Sequence, residues 1–479
     1  MGITDDTVYC NWTLKMHFNS FSFLIFFSVT FVMYCCCRHR WQNRVLLVAS
    51  YVFYAAWDYR FLSLLMTYTI VNYISGANIG GSTSQKARKF WLFVSIVSSI
   101  GILGFFKYYN FFIESLGVFL SGFGLINSFP VLDIVLPVGI SFYTFQTLSY
   151  TIDVYRRKID PASSFFDFAL YVSFFPIILA GPIERAGDLL PQISNERKIS
   201  PVLFKASVFL ILFGLFEKVV VADNLAVLVN DVYDGRNENG LNVLVATYAF
   251  TFQIFADFDG YSNMAKGIAG LMGFQLVTNF NAPYFSDNPS EFWRRWHISL
   301  SSWLRDYLYI SLGGNRFGAV LTVRNLVLTM FLGGLWHGAG WMFLLWGGFH
   351  GLLLTVYFIF KKSISIVPSF FRRILFFHLI CVGWMIFRSE SVPHLLTLLN
   401  SLLFNFDFSL DPEQILLIKK FLFYSTIPIF YQYFQYTTKE LAPFFHWPLY
   451  LRASSYVFLF YMIVIFGFNS AQSFIYFQF

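Results

Sequence analysis

The sequence predicts an all-α polytopic membrane protein, that is, a bundle of helices that crosses the bilayer many times. Of its 479 residues, 57% are hydrophobic and only 12% are charged, which leaves too little polar surface to cover a soluble protein of this length. Apolar runs of about 20 residues, the length that crosses a hydrocarbon layer of roughly 30 Å, recur along the chain. Because lipid offers the backbone no hydrogen-bond partners, these runs must be helical, and we expect about 11 to 12 crossings.

The N-terminal apolar run, residues 21–37, is predicted to be a retained anchor, because it ends in basic residues instead of a small-residue cleavage site. Met16 could be the true start, which would make residues 1–15 an N-terminal extension. No polar stretch is long enough to form a soluble domain. Residues 16–479 are therefore interpreted as a single transmembrane domain.

The distribution of basic residues predicts the topology. The net charge of +7 is divided among short clusters between the apolar runs, a pattern typical of cytoplasmic loops and not of a protein that binds nucleic acid. The clusters lie at 38–44, 86–89, 156–158, 185–205, 294–324, 361–373 and 419–420. Loops at Asp58 and at 223–238 are predicted outside. The runs 45–57 with 61–76, and 206–222 with 241–256, are predicted to form hairpins.

Two stretches between basic clusters cannot be simple crossings. Three apolar stretches lie between Lys89 and Arg156, which are both predicted inside, so only two can cross. We expect the stretch that begins "KYYNFF" to lie at the interface or to re-enter. Residues 165–183 are too short for two crossings, and Pro176 and Pro182 break them, which predicts a re-entrant element.

The segment between Arg324 and Lys361 contains the strongest site candidate. The chain must enter the membrane there and return to the same side. The twelve residues before His337 rise only about 18 Å as a helix, which is less than the thickness of the hydrocarbon layer. His337, followed by "GAGW", is therefore predicted at a break inside the membrane, where a polar side chain is a functional-site hypothesis. Trp336 and Trp341 are predicted to shield it from lipid. A structural histidine bonded to a backbone carbonyl is the alternative.

The segment "EFWRRWHISLSSWLRDYLYISLGGNR", residues 291–316, concentrates charge in an apolar chain. Its tryptophans at 293, 296 and 303 predict an amphipathic helix that dips into the interface. Arg294, Arg295 and Arg305 suit a phosphate-rich donor, because paired guanidinium groups bind phosphate well; binding of membrane lipid headgroups is the alternative. His297 lies among these arginines.

Two acidic residues, Asp257 and Asp259, interrupt a long apolar run. Carboxylates in such a run cost several kcal/mol unless they are paired or hydrated. We expect them to pair with the arginines and to hold the site together, in preference to direct proton transfer. His350 lies in the returning helix, where it could support the site, although helix packing is an equally good explanation.

Four segments together resemble the membrane-bound O-acyltransferase family: "GPIERAGDLLPQI", "NFNAPYFSDNPSEFWRRWHISLSSWLRDYLYISLGGNR", "LGGLWHGAGW" and the closing "FIYFQF". The nearest likeness is to the bacterial branch that acts in alginate O-acetylation. The resemblance implies tilted helices around a central tunnel, and its two signature polar positions fall on His337 and His297. The family usually reads "DFSGYSD" where this chain has "DFDGYSN", which places any role of that segment in doubt.

The resemblance implies transfer of an acyl group, with acetyl as the first choice, from a cytoplasmic thioester to a hydroxyl of an exported polysaccharide. The donor would be acetyl-CoA or a phosphopantetheinyl carrier protein, and the acceptor would be reached directly or through an extracytoplasmic acyltransferase. His337 would act as the general base, and His297 would orient the donor or stabilise the oxyanion. Donor binding is assigned to Arg294, Arg295, Arg305, Trp296 and Trp336, and support of the site to Asp257, Asp259, Asp306 and His350.

The resemblance also places the protein in a bacterial inner membrane, with no bound cofactor or metal. Three alternatives stay open. The first is D-alanyl transfer to teichoic-acid-type acceptors. The second is a transporter or flippase of a lipid-linked sugar, which predicts inverted repeats that are not visible in the sequence. The third is a silent scaffold that recruits an extracytoplasmic transferase.

Overall fold

The computed structural model describes residues 16–125, 129–235, 239–441, 444, 447–468 and 474–475. Within these ranges every regular element is a helix, which confirms the predicted all-α class. The possible N-terminal extension, residues 1–15, lies outside them. In chain order the α-helices are α1 Phe21–Cys36, α2 His39–Asp58, α3 Leu62–Gly81, α4 Gln85–Leu103, α5 Tyr109–Ser121, α6 Ile140–Tyr155, α7 Phe165–Ser173, α8 Ala186–Ser194, α9 Pro201–Phe216, α10 Asp223–Tyr233, α11 Gly240–Leu271, α12 Pro289–Arg295, α13 Ile298–Trp303, α14 Ala319–His337, α15 Trp341–Ile364, α16 Ser369–Arg388, α17 Val392–Phe404, α18 Pro412–Thr438 and α19 Leu449–Phe466.

Six helical stretches in the described part of the chain are long and apolar enough to cross a membrane. They are Gln85–Ser121, Gly240–Leu271, Ala319–His337, Trp341–Ile364, Ser369–Arg388 and Leu449–Phe466. The protein is thus a multi-pass membrane protein, as predicted. The expected total of about 11 to 12 crossings stays a prediction, since helices such as α1 and α17 are apolar but shorter than a full span.

The centre of the bundle is α11. It packs against α9, α10, α16, α17 and α18, and it is buried along most of its length. By contrast, the only buried residue among those described in α19 is Leu459. Apolar side chains on such an outer helix suit lipid, whereas the polar residues of α11 are enclosed by protein.

Three turns of π-helix interrupt the helices of the described chain: Gly104–Tyr108, Glu217–Ala222 and Leu304–Tyr309. The first joins α4 and α5 into one continuous helical path. The segment that begins "KYYNFF" therefore extends α4, and the prediction of a separate interfacial or re-entrant element there is wrong. Single π turns inside helices frequently lie at functional sites.

The non-helical stretch lies one segment later, at residues 129–138. Such backbone is tolerated at membrane depth only where protein covers it or where it lines a cavity. Pro137 and Val138 do line a cavity. The predicted break in residues 165–183 is confirmed, because α7 ends at Ser173 and the chain then turns through buried residues before α8 begins.

A second boundary also differs from the prediction. Through the π turn Glu217–Ala222, α9 and α10 form one helical path that ends at Tyr233. Asp223 is buried inside this path, 2% exposed, so the prediction that it opens an outer loop is wrong. The reason is an ion pair of 2.8 Å with Lys218, which offsets the cost of burying the carboxylate.

The hairpin of α14 and α15 carries the predicted break. α14 begins at Ala319, earlier than the basic residue at 324 suggested, and it ends at His337. Gly338 and Gly340, which follow it, have extended backbone conformations before α15 begins. The two helices approach closely because glycines line the contact: a Cβ atom at Gly334 or Gly347 would collide with the backbone of the opposite helix.

Overpacking this contact should destabilise the protein. We expect Gly347→Ala to lower the free energy of unfolding by about 1–3 kcal/mol, because its methyl group would meet the backbone of Met330 and Phe331. Thermal unfolding of the purified protein in detergent measures the effect. Gly101→Ala in α4 is the matched control, since its Cβ atom would meet no atom within 4 Å; equal unfolding temperatures for the two variants would contradict the close approach.

Candidate functional site

His337 is the last residue of α14 and is 4% exposed. Aromatic rings surround its imidazole, with centroid distances of 5.0 Å to Trp336, 5.0 Å to Trp346 and 5.6 Å to Phe387. Trp346 thus shields the histidine. Trp341, which the sequence analysis assigned to this role, is 64% exposed, because it is the first residue of α15 and lies beyond the break.

His297 joins α12 to α13 in a left-handed backbone conformation, with φ 41° and ψ 56°. A residue other than glycine rarely adopts this conformation, and such strain clusters at functional sites. Hydrogen bonds fix it: Ile298 N donates to Asn279 O at 2.9 Å, and Ser301 N donates to His297 O at 2.9 Å. The imidazole is fully buried, 4.6 Å from the Phe258 ring.

Trp336 connects the two histidines. Its ring centroid lies 5.7 Å from that of His297 and 5.0 Å from that of His337. The fold therefore brings together the two side chains that the sequence analysis selected as catalytic, although they belong to different helices. Trp336 also contacts Phe142 and Phe145 of α6, which hold its ring in place.

A cavity of about 90 Å³ lies beside His337. Its lining is formed by the non-helical stretch and the helices that face it: Lys107, Leu136, Pro137, Val138, Gly139, Ile140, Ser141, Phe142, Leu179, Trp336 and His337. We name it the histidine cavity. Gly139 has φ 77° and packs against the carbonyl of Ile178, so a side chain there would be strained and would enter this crowded region.

The sequence analysis missed Lys107 and Tyr108, which hold the end of the His337 helix. Lys107 Nζ donates to Trp336 O at 2.7 Å and to His337 O at 3.1 Å. Tyr108 Oη donates to Leu335 O at 2.8 Å. The last carbonyls of a helix have no partner inside it, and these side chains supply one. A signal existed, because Lys107 interrupts a long apolar run.

A second cavity, of about 430 Å³, lies between α12, α13 and the middle of α14. Arg294 and Arg305 both line it, with Ser301, Ser302 and Met330. We name it the arginine cavity. Met330 precedes Trp336 by six residues, about 9 Å along the helix. α14 thus links the arginine cavity at Met330 to the histidine cavity at Trp336 and His337.

Asp306 organises the charges beside the arginine cavity. It accepts a hydrogen bond from Arg305 Nε at 2.7 Å and lies 3.3 Å from Arg185 Nη2. The guanidinium of Arg185 also lies over the Tyr307 ring, 4.4 Å from its centroid. Asp306 therefore holds the guanidinium group of Arg305, while the Arg305 side chain stays exposed.

Arg295 and Trp296 lie away from both cavities. Arg295 pairs with Glu291 at 2.9 Å and donates to Asn281 O at 3.1 Å. Trp296 is fully buried and packs 4.7 Å from Trp384 and 4.9 Å from Phe280. The structure does not bring these two predicted donor-binding residues to the arginine cavity.

The predicted interfacial helix is wrong for residues 291–303. Two short helices, α12 and α13, replace it, and the turn at His297 changes the chain direction between them. Trp296 and Trp303 are buried in protein, and Trp303 stacks on Phe145 at 3.8 Å. Helical periodicity alone cannot separate a face that meets lipid from one that meets other helices.

The partners predicted for the two aspartates are also wrong. Asp257 pairs with Lys218 at 2.8 Å and accepts from Ile475 N at 2.7 Å. Asp259 lies beside Asn263 and the Glu217 carboxyl group, and Asn263 donates to Glu217 at 3.0 Å. Neither aspartate forms an ion pair with an arginine in the described part of the chain, because α11 packs against α9 and the π turn Glu217–Ala222, which supplies Lys218 and Glu217.

His350 belongs to the same aromatic cluster as His337. It is 1% exposed, and its ring lies 4.7 Å from Trp346 and 5.1 Å from Trp293. Trp346 thus touches both histidines. His350 is thus separated from His337 by the Trp346 ring. Its role in supporting the site stays a prediction.

Comparisons with known proteins identify the family. The sequence profile of the membrane-bound O-acyltransferase family matches residues 156–397, a range that includes His297, His337 and the arginine cavity. It ends before α18 and α19, and it begins after Lys107.

Named relatives cover most of the chain. A protein named "Probable alginate O-acetylase" from Pseudomonas aeruginosa is 42% identical over 79% of this chain and 73% of its own length. A peptidoglycan O-acetyltransferase from Helicobacter pylori is 34% identical over 74% and 73% of the two chains. A teichoic acid D-alanyltransferase from Bacillus subtilis is 28% identical over 55% and 72%. With a family profile that matches half of the chain and relatives of this identity and coverage, the chain belongs to the membrane-bound O-acyltransferase family.

Proposed function

We propose that this protein transfers an acetyl group from a thioester donor on one side of a bacterial inner membrane to a hydroxyl group of an exported polysaccharide. The transfer is direct or passes through an extracytoplasmic partner. The observation that carries the proposal is the position of His337 at the end of α14, beside one cavity and seven residues, about 10.5 Å of helix, beyond Met330 of the arginine cavity.

The arginine cavity is the proposed donor site. Arg294 is exposed and lines it together with Arg305, and guanidinium groups match the geometry of phosphate oxygens. Acetyl-CoA and a phosphopantetheinyl carrier both bring phosphate next to a thioester arm. The positive-inside rule predicts that this side is the cytoplasm.

The histidine cavity is the proposed place of reaction. His337 takes the proton of the acceptor hydroxyl while the hydroxyl oxygen attacks the acyl carbon. The C–S bond of the thioester then breaks, and the leaving thiolate recovers the proton from His337. His297, on the other side of Trp336, orients the thioester or stabilises the oxyanion. A transient acyl group on the imidazole is a variant of the same scheme.

Two observations favour acetyl as the transferred group: the names of the relatives and the small volume of the histidine cavity. The relatives at 42% and 34% identity are named as an O-acetylase and an O-acetyltransferase, whereas the D-alanyltransferase is 28% identical. The histidine cavity of about 90 Å³ suits a small acyl group. Large, charged CoA stays on the arginine side, and only the acyl group passes.

The test supplies labelled acetyl-CoA to one face of liposomes that contain the full chain, with orientation scored by protease accessibility. We expect thioester cleavage only when acetyl-CoA meets the arginine side. Arg294→Ala should raise KM for acetyl-CoA about 10-fold or more, because a hydrogen bond to a charged group contributes about 1.5–3 kcal/mol. Arg316→Ala is the matched control, since Arg316 is exposed in the same segment but does not line the cavity.

Other outcomes would overturn specific parts of the proposal. Cleavage from neither face would point to a carrier-bound donor, a missing partner or a scaffold, and a D-alanyl carrier protein would be tested next. Intact CoA recovered inside the liposomes would favour a transporter over an acyltransferase. Equal KM values for the Arg294→Ala and Arg316→Ala proteins would show that the donor does not bind in the arginine cavity.

A further inference from the structure

Lys107 occupies a position that the proposed function does not yet use. It lies in the π turn Gly104–Tyr108, which shifts the register between α4 and α5. Its ammonium group reaches the carbonyl ends of Trp336 and His337, at 2.7 Å and 3.1 Å. Lys107 is therefore hydrogen-bonded to the backbone of His337, and both residues line the histidine cavity.

The ammonium group has capacity left after these contacts. It carries three N–H donors, and two of them are used by the carbonyls. Among the residues that the structure describes, no carboxylate lies within ion-pair distance of Lys107. A positive charge beside a cavity, with a donor to spare and no acidic partner, is suited to receive negative charge from a ligand.

Tyr108 shows that the lysine is not required only to hold the helix end. The tyrosine comes from the same π turn and binds the preceding carbonyl, that of Leu335, at 2.8 Å, but it does not line the cavity. A neutral hydroxyl is thus sufficient to satisfy a carbonyl of this helix end. The lysine adds a charge at the position that borders the cavity.

We propose that Lys107 is a catalytic residue of the acyl transfer and binds the oxyanion that forms on the acyl carbonyl oxygen. When the acceptor oxygen attacks the carbonyl carbon, a C–O bond forms and the π electron pair moves onto the carbonyl oxygen. The acceptor proton passes to His337. As the tetrahedral intermediate collapses, the pair returns to form C=O, the C–S bond breaks, and the thiolate takes the proton from His337. This role rests on the proposed function, and it leaves His297 to orient the donor.

The experiment compares three variants of the full chain in the liposome assay with acetyl-CoA. Lys107→Met keeps the length of the side chain and removes the charge. We expect it to lower kcat for thioester cleavage about 100-fold or more, the range measured when one oxyanion donor is removed, with KM for acetyl-CoA within about threefold of wild type. Lys107→Arg keeps a charged donor and should retain more activity than Lys107→Met.

Tyr108→Phe is the matched control, because it removes one bond to the same helix end without removing a charge. We expect kcat within about threefold of wild type for this variant, since a neutral hydrogen bond contributes about 1 kcal/mol. Thermal unfolding of all variants in detergent separates catalytic loss from loss of the fold. A large fall in unfolding temperature with Lys107→Met, matched by Tyr108→Phe, would assign Lys107 to a structural role and overturn the proposal.

The remaining outcomes separate this proposal from the proposed function. Normal cleavage by Lys107→Met, with cleavage lost in His337→Ala, would overturn the role of Lys107 alone. Normal cleavage by both variants would overturn the histidine mechanism, and the role of Lys107 would fall with it. An effect of Lys107→Met on KM with kcat unchanged would also overturn it, because oxyanion binding acts on the transition state.

Discussion

Replacing His337 with alanine should lower the rate of acyl transfer about 100-fold to 10,000-fold, the range that general base catalysis contributes. The imidazole is the ionisable group of α14 that lines the histidine cavity, and no hydroxyl nucleophile can lose its proton efficiently without a base. Thioester cleavage in liposomes and the O-acetyl content of the exported polysaccharide in cells both measure the loss.

His378→Ala is the matched control for this prediction. His378 lies exposed on α16, where its Nδ1 atom contacts Ile374 O at 2.7 Å, and its loss should leave the rate unchanged. His337→Gln should behave like His337→Ala, because it retains volume and polarity but cannot act as a base at neutral pH. Full activity of the glutamine variant would show that His337 only shapes the cavity.

Replacing Lys218 with methionine should lower the free energy of unfolding by about 3–5 kcal/mol, the cost of breaking a buried ion pair from one side. Lys218 lies 2.8 Å from both Asp223 and Asp257, and all three side chains are less than a tenth exposed. The substitution would leave two carboxylates buried without their cation. Thermal unfolding and the yield of monodisperse protein in detergent report the effect.

An ion pair whose lysine is exposed provides the control for Lys218. Lys158 lies 3.6 Å from Asp153 and is 55% exposed, so Lys158→Met should change the free energy of unfolding by less than about 1 kcal/mol. Adding Asp223→Asn and Asp257→Asn to Lys218→Met should recover part of the stability. A triple variant that is less stable than Lys218→Met would contradict the role of Lys218 as the cation that pairs with both carboxylates.

The resemblance to the family and the candidate histidine pair were accessible from the sequence because their signals are local. His337 is followed by "GAGW" and His297 ends "FWRRWH", and a polar residue in an apolar run is conspicuous whatever surrounds it. Arg294 and Arg305 were selected for the same reason. The structure then placed these two arginines on one cavity and the two histidines on either side of Trp336.

Lys107 and Trp346 could not be assigned in the same way. Their roles depend on which helices lie side by side, and the contact of Lys107 with His337 joins residues 230 positions apart. The partner of Asp257 was misjudged for this reason, since the adjacent helix supplies Lys218 where sequence proximity suggested arginines.

The sequence by itself determined the membrane class, the helical class, the family and the break after His337, because composition, apolar run length and short motifs express these properties within a few turns of chain. The tertiary structure decided which helices are continuous, which charges pair and which residues border a cavity. The physical reason is that lipid and protein interior are both apolar, so hydrophobicity shows that a helix is removed from water but not what it packs against.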